Sequence, residues 1–265
     1  MPQDSVQAAN IDTSKPHPAR IYDYLLGGKD NYEVDQRAAD ELAAAAPEVR
    51  MGVRANRAFL HRAVRHVVSN GIRQILDIGT GLPTSPNVHE VAQAAAPDVR
   101  VAYVDNDPIV AAHGNALLSR SGTTSIVLGD LRDPHAVLGH PGVRDIIDFD
   151  RPVAVLLVAV LHFLTDAERP AEVVATLRDA LPAGSCLVLS HATGDFADRR
   201  AAQAVYNKAS ASLNLRSRAE VERFFDGFEL IEPGVAQVPF WRPDTTPPPR
   251  SEEIGFYGGV AFKTA

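Results

Sequence analysis

From Arg73 onward, short apolar runs alternate with segments of helical spacing. Ile75-Leu76-Asp77-Ile78, Val101 to Asp105, Ser125 to Leu128, Pro152 to Val160 and Cys186 to Ser190 have the length of strands. The run from Pro152 is apolar throughout, as in a central strand covered on both faces. Asn87 to Ala96, a segment opening on Pro108, and Asp166 to Leu181 read as the intervening helices, with proline favoured in a first turn. This alternation predicts parallel strands joined by right-handed crossovers, a doubly wound, mostly parallel α/β sheet. Phe228 to Val238 and Gly255 to Lys263 flank a proline-rich loop with no helix of usual length between them. They are expected as an antiparallel pair at one sheet edge.

The first part of the chain reads differently. Met1 to Ser14 is polar and is expected to be a flexible tail. Residues 15–70 are expected to form a helical cap, and residues 71–265 one compact ligand-binding unit. Within the cap, a short helix should end at Gly27-Gly28, since glycine tolerates the left-handed conformation at a helix end. Asp35 to Ala45 and Arg54 to Ser69 are further helices, the second with Phe59, Ala63, Val64 and Val67 on one stripe. Two more helical stretches are expected at Asp198 to Ser212 and Ala219 to Phe225.

Bulk composition narrows the classes. The 265 residues are 45% hydrophobic and 22% charged, enough to bury a sizeable core. With 26 Lys and Arg against 33 Asp and Glu, the net charge is −7, so no nucleic-acid partner is expected. No apolar stretch reaches membrane-spanning length and the start lacks a signal-peptide pattern, so no membrane partner is expected and the cytoplasm is the expected compartment. The single cysteine, Cys186, sits in an apolar run and excludes an intrachain disulfide. No metal site is expected.

Candidate chemistry begins at the end of the first strand, in Asp77-Ile78-Gly79-Thr80-Gly81. Two glycines one residue apart allow a tight turn and let the backbone approach a ligand that a Cβ would exclude. Ligands of open α/β sheets lie beyond the carboxyl ends of the strands. Asp105 closes the second strand 24 residues after Gly81, where a carboxylate can accept both hydroxyls of a ribose; a helix cap is the alternative role. Asp130 closes the third strand, where it could meet an adenine amino group or belong to a surface turn.

These motifs resemble those of class I methyltransferases that use S-adenosylmethionine, over roughly residues 70–265. Asp77-Ile78-Gly79-Thr80-Gly81 matches their first motif, Asp105 the second and Asp130 the third. The run Ala19-Arg20-Ile21-Tyr22-Asp23-Tyr24-Leu25-Leu26-Gly27-Gly28-Lys29-Asp30-Asn31-Tyr32, with Gly81-Leu82-Pro83-Thr84, is similar to an actinobacterial group of such proteins long catalogued as a domain of unknown function. The resemblance implies a Rossmann-like fold with a reversed last strand. It implies S-adenosylmethionine as cofactor, S-adenosylhomocysteine as product, and Asp77, Gly79, Thr80, Gly81, Asp105, Asn106, Asp130, Leu131 and Val158 around them. It implies methyl transfer to a small-molecule acceptor that it does not identify. A non-catalytic sensor or scaffold for the same cofactor is the alternative. An NAD(P) oxidoreductase is a remote one, because Thr84 replaces the third glycine and Pro83 has no N–H for a pyrophosphate.

Acceptor-side residues are read more openly. Small-molecule O-methyltransferases carry a stretch similar to Leu161-His162-Phe163-Leu164-Thr165-Asp166, in which the histidine is a base. Phe163 and Leu164 depart from that pattern, and a packing role for His162 is the competing reading. His191 is a second histidine expected near the same face. Tyr24, Lys29, Asn31 and Tyr32, with Tyr22, are candidates for a lid over the acceptor pocket, against a helix simply docking its aromatic face. One of Arg50, Arg54 and Arg57 is a candidate to meet the cofactor's carboxylate. The oligomeric state is not legible.

Overall fold

The computed structural model describes residues 13–118 and 122–264. Most of the expected flexible tail, residues 1–12, lies outside them. In chain order the elements are α1 (Pro18–Leu26), α2 (Glu33–Ala45), α3 (Val49–Ser69), β1 (Gln74–Ile78), α4 (Val88–Ala95), β2 (Arg100–Asp105), α5 (Pro108–Leu118) and β3 (Thr124–Leu128). There follow α6 (Pro134–Gly139), α7 (Pro141–Arg144), β4 (Ala154–Val158), α8 (Pro170–Asp179), β5 (Cys186–Ala192), α9 (Arg200–Tyr206), α10 (Arg218–Glu222), β6 (Glu229–Leu230), β7 (Ala236–Gln237) and β8 (Phe256–Phe262). No helix among the described residues is long and apolar enough to cross a membrane.

The sheet runs β3-β2-β1-β4-β5-β8-β6, with β7 also on β8. The first five strands are parallel and β8 is antiparallel to β5, Leu189 lying opposite Gly259. The expected reversed ending is therefore present. Its first strand is broken: Phe228 to Val238 contributes only the two-residue β6 and β7, separated by a turn. Proline and glycine at Pro233 and Gly234 interrupt the ladder there. Two short helices that the apolar rhythm did not reveal, α6 and α7, fill the crossover from β3 to β4. Each opens on a proline, and Asp133 caps α6 by accepting from the Ala136 N–H at 3.0 Å.

Alternate residues of each central strand feed two cores. Leu76, Ile78, Val155, Leu157, Leu187 and Leu189 face the side covered by α6, α7, α8 and α10. Ile75, Ala154, Leu156, Cys186 and Val188 face α3 and α4. Coverage of both faces explains why these strands read as unbroken apolar runs. The expected α3 stripe of Phe59, Ala63, Val64 and Val67 is buried, with Phe59 edge-on to Trp241 at 5.3 Å. Helix α3 thus belongs to the sheet's own core, and packing shows no division at residue 70. A third cluster joins Ile21 and Leu25 of α1, Ala39 and Leu42 of α2, and Ala202 and Val205 of α9.

That third cluster is fastened to the sheet by charge. Asp35, fully buried, accepts from the backbone N–H groups of His17 and Tyr32, both at 2.9 Å, and faces Arg20 at 3.6 Å. Arg20 also lies 3.5 Å from Asp107, the buried carboxylate that caps α5. Removing one member of a buried charge group strands the rest. Asp35→Ala is expected to lower the unfolding free energy by about 3 kcal/mol, measured as a shift in urea midpoint; an unchanged midpoint would refute this account of the cap.

Candidate functional site

The turn after β1 is shaped by two glycines in the left-handed region, Gly79 at φ 76° and Gly81 at φ 68°. The N–H groups of Gly79 and Thr80 donate to the Val104 carbonyl at 2.8 and 3.3 Å, hooking the turn onto β2. A Cβ at Gly79 would lie 2.5 Å from the Val160 side chain, so alanine does not fit. Space around the Cβ direction of Gly81 is open. Its N–H donates to Asp105 Oδ2 at 2.8 Å, and Asp107 N–H donates to Asp105 Oδ1 at 2.9 Å. Asp105 therefore fixes the turn and holds the backbone of Asp107, the cap of α5, leaving each oxygen with further acceptor capacity.

Burial makes this end of the sheet electrostatically unusual. It pushes the Asp77 carboxyl up to about 7, against the hydrogen bond from Thr80 Oγ1 at 3.1 Å and the charge of Arg57. It pushes Asp105 up to about 6, against the backbone N–H groups of Asp107 and Gly81. Asp130 goes the other way. Burial would raise it, but Arg132 outweighs that by donating through Nε at 2.9 Å and Nη2 at 2.6 Å, which holds the carboxyl low.

These groups open into one cleft of about 430 Å³. Asp77, Gly79, Thr80, Gly81, Asp105, Asn106, Asp130, Leu131 and Val158 all line it, so the expected cofactor residues converge. Of the three candidate arginines, Arg57 alone lines the cleft. It spends Nη2 on the carbonyls of Thr84 and Pro86, while its Nε is buried without a partner. Arg50 turns to Asp40 at 3.5 Å, and Arg54 is exposed.

The N-terminal segment borders the cleft, but with other residues than expected. Tyr22, Asp23 and Leu26 line it; Tyr24, Lys29, Asn31 and Tyr32 do not. Tyr24 lies beneath the Arg50 guanidinium at 5.3 Å, Lys29 is exposed, and Tyr32 lies against Arg20 at 5.4 Å. Asn31 acts behind the wall. Its side chain donates to the Asp23 carboxylate at 2.8 Å, and the Asp30 N–H adds a bond at 3.1 Å. Gly28 is part of this wrap, since its Cβ would fall 2.0 Å from Asp23 Oδ1.

The histidines are spent on structure. His162 lines the cleft, yet its Nδ1 accepts from the Ala192 N–H at 3.2 Å. Its neutral ring therefore carries the proton on Nε2 and has no lone pair left for a substrate proton. Burial, with His191 and Arg216 nearby, holds its pKa well below the usual value. The expected base role thus gives way to packing. His191 is fully buried outside the cleft wall, with Nδ1 at 2.7 Å from the Ala192 carbonyl and Nε2 taking a hydrogen bond from Arg216 at 3.0 Å. Arg216 also donates to the Leu164 carbonyl and to Asp166, fixing the turn after β4.

Three residues that sequence reading missed tie the site together. Ala159, at φ 57°, turns the chain out of β4 and donates its N–H to Ser190 Oγ at 3.0 Å. Ser190 donates to Asn56 Oδ1 at 2.6 Å, Asn56 donates to the Tyr22 hydroxyl at 3.0 Å, and Tyr22 donates to the Val53 carbonyl at 3.0 Å. The one available signal was Asn56, a polar residue in the apolar stripe of α3.

Comparisons with known proteins give the family. The model of the S-adenosyl methyltransferase family matches residues 4–264. The crystal structure of a DUF574 family protein from Streptomyces avermitilis shares 45% identity over 96% of this chain and 99% of that one, with a TM-score of 0.91. A candidate methyltransferase from Thermobifida fusca shares 41% identity over 98% of this chain and 100% of that one, also at 0.91. The N-methyltransferase NodS from Bradyrhizobium japonicum, solved with S-adenosylhomocysteine, shares the fold at 13% identity, covering 93% of this chain and 100% of that one, with a TM-score of 0.51. No curated protein matches the chain. With the match running over nearly its whole length, the chain belongs to the S-adenosyl methyltransferase family, whose cofactor is S-adenosylmethionine.

Proposed function

We propose that the glycine-turn end of the cleft holds S-adenosylmethionine and that the chain methylates a small-molecule acceptor bound beside it. The observation that carries this is the cradle itself: Gly79 has no room for a Cβ, and the buried Asp105 braces Gly81 while keeping acceptor capacity for ribose hydroxyls. Arg57, with its orphaned Nε, and Asp77 suit the amino-acid part of the cofactor, one for the carboxylate and one for the ammonium. Asn106, Asp130, Leu131 and Val158 are suited to the adenine side, with Asp130 held in place by Arg132. When bound, the cofactor supplies an electrophilic methyl group.

The protein's own part is positioning. The turn at Ala159 forms one wall of the cleft, and α1, fastened through Arg20 and Asp35, closes it from above. Holding two reactants in line and excluding water supplies much of such a barrier reduction. Past the glycine turn the cleft continues among Leu26, Leu42, Val53 and Leu213, with Tyr22, Glu48 and Arg199 beside them, and open space there supports an enzyme over a sensor whose methyl side is sealed. We take residues 15–45, with α9, as the lid and the rest as the cofactor-binding body.

Isothermal titration calorimetry with S-adenosylhomocysteine tests the assignment. Gly79→Ala is expected to abolish binding. Asp105→Ala should weaken it at least about 30-fold, the loss of two hydrogen bonds to a charged group. Wild-type affinity surviving in both variants would sink the assignment.

The raised carboxyl of Asp77 gives a second test, on the unliganded protein. Because its folded pKa of about 7 lies above the unfolded value, its contribution to stability is full below about pH 4 and is lost as pH rises through 7. Relative to wild type, Asp77→Asn should gain up to about 1.4 kcal/mol per pH unit across that window. Parallel stability curves from urea melts would contradict it.

A further inference from the structure

One face of α1 roofs the cleft, with Ala19, Tyr22, Asp23 and Leu26 at helical spacing along it. The helix runs lengthwise. At its start, the His17 cap lies 3.1 Å from Asp107, whose N–H is bonded to Asp105. Near its end, Leu26 stands with Leu42 and Leu213 in the part of the cleft past the glycine turn. Asp23 lies between them, about 6 Å along the axis from Ala19 and about 4.5 Å from Leu26. It therefore covers the boundary between the ribose side and the acceptor side.

Five carboxylates of the described residues line the cleft, and four are matched within the protein. Glu48 has the Arg199 guanidinium and Asp130 has that of Arg132. Asp105 takes an N–H group on each oxygen, and Asp77 has the Thr80 hydroxyl and the charge of Arg57. Asp23 is 5% exposed and, among the described residues, has no lysine or arginine beside it. Its Oδ2 accepts from Asn31 Nδ2 at 2.8 Å and from the Asp30 N–H at 3.1 Å, while Oδ1 makes no hydrogen bond among the described residues. The turn from Gly27 to Asn31 is wound about this side chain: the Gly28 N–H donates to the Asp23 carbonyl, and Asn31 also donates to the Gly28 carbonyl. Such a brace fixes the direction of a carboxylate without neutralising it. Burial outweighs these bonds and holds the carboxyl above its usual range, as for a charge without a counter-charge.

We propose that Asp23 is the counter-charge for the cofactor's sulfonium, and so separates S-adenosylmethionine from its product. The inference rests on the cofactor occupying the glycine-turn end, as proposed above. The sulfonium joins the ribose to the amino-acid part and carries the methyl toward the acceptor, which is the stretch that Asp23 covers. In the transfer, a lone pair of the acceptor forms the new bond to the methyl carbon while the S–CH3 bond breaks and leaves its pair on sulfur. Sulfur becomes neutral, and Asp23 loses its partner. The carboxylate thus holds the donor and lets the spent thioether go.

Isothermal titration calorimetry on the full chain tests this with three ligands alike at the ribose and amino-acid ends. They are S-adenosylmethionine, sinefungin (an aminomethine group in place of the methylsulfonium) and S-adenosylhomocysteine. In Asp23→Asn the side-chain oxygen still accepts from Asn31 and Asp30, so the turn keeps its brace. The variant should bind the two cationic ligands at least about tenfold more weakly, and S-adenosylhomocysteine less than about threefold more weakly. A loss as large for S-adenosylhomocysteine overturns the inference and makes Asp23 a partner of the shared ammonium or a strut of the roof. Unchanged affinity for S-adenosylmethionine overturns it too. If circular dichroism shows the variant unfolded, a crystal structure of the wild type with sinefungin decides. Asp23 Oδ1 within about 4 Å of the aminomethine nitrogen supports the inference, and a longer separation overturns it. Wild-type protein that does not bind S-adenosylhomocysteine overturns the cofactor assignment first, and this inference with it.

Discussion

The buried amide of Asn56 is the constraint on which the site's geometry depends. A primary amide sealed from water must find partners for its donors and acceptor, and here they come from opposite sides of the cleft. Its oxygen takes the Ser190 hydroxyl at the end of β5; its nitrogen gives to Tyr22 on α1. Because Ser190 in turn holds the Ala159 N–H, one side chain sets the rotation of α3, the seat of α1 and the turn after β4 together. Ala159 keeps a left-handed conformation that an L-residue adopts reluctantly, and this network is what over-determines it. Helix α1, helix α3 and the turn after β4 are thus one mechanical unit.

A second theme is the mismatch left in the unliganded cleft. Asp77 and Asp105 are buried beside the turn, Asp77 held by the Thr80 hydroxyl and Asp105 by the N–H groups of Gly81 and Asp107, and burial outweighs these bonds, so both carboxyls hold their protons to unusually high pH. Hydroxyl and ammonium donors from a ligand would relieve what burial costs them. An arginine edge with a buried, unpaired N–H lies on the same wall. The cleft is therefore polarised before anything enters it, and electrostatic preorganisation of this kind favours ligands that bring donors to one end and an anion to the other.

Much of this was legible in the residue order. Strand length and alternation located β1 to β5, and Gly79, Gly81, Asp105 and Asp130 converge because all four lie at carboxyl ends of adjacent parallel strands, which topology forces together. Which face of α1 meets the cleft was not legible. Tyr22 and Tyr24 are two positions apart, about 200° around a helix, so choosing one for the wall turns the other away. Only the packing of Ile21 and Leu25 against α2 decides it. The tautomer of His162 was hidden for a similar reason, since it follows from a backbone N–H on β5 that is 30 residues away in sequence. Helices α6 and α7 were missed because runs of six and four residues carry too few turns to show a period.

The place of β8 in the sheet bears on how the molecule is made. The last strand is not peripheral. It lies between β5 and the short β6 and β7, with Gly258 against the ring of Phe59 on α3. During synthesis, β5 must wait with one edge unpaired until some seventy further residues have left the ribosome (Ala192 to Phe262). An exposed strand of that kind is a natural target for chaperones and for pairing with other nascent chains. Late truncation or stalling would therefore leave an aggregation-prone intermediate rather than a smaller working protein.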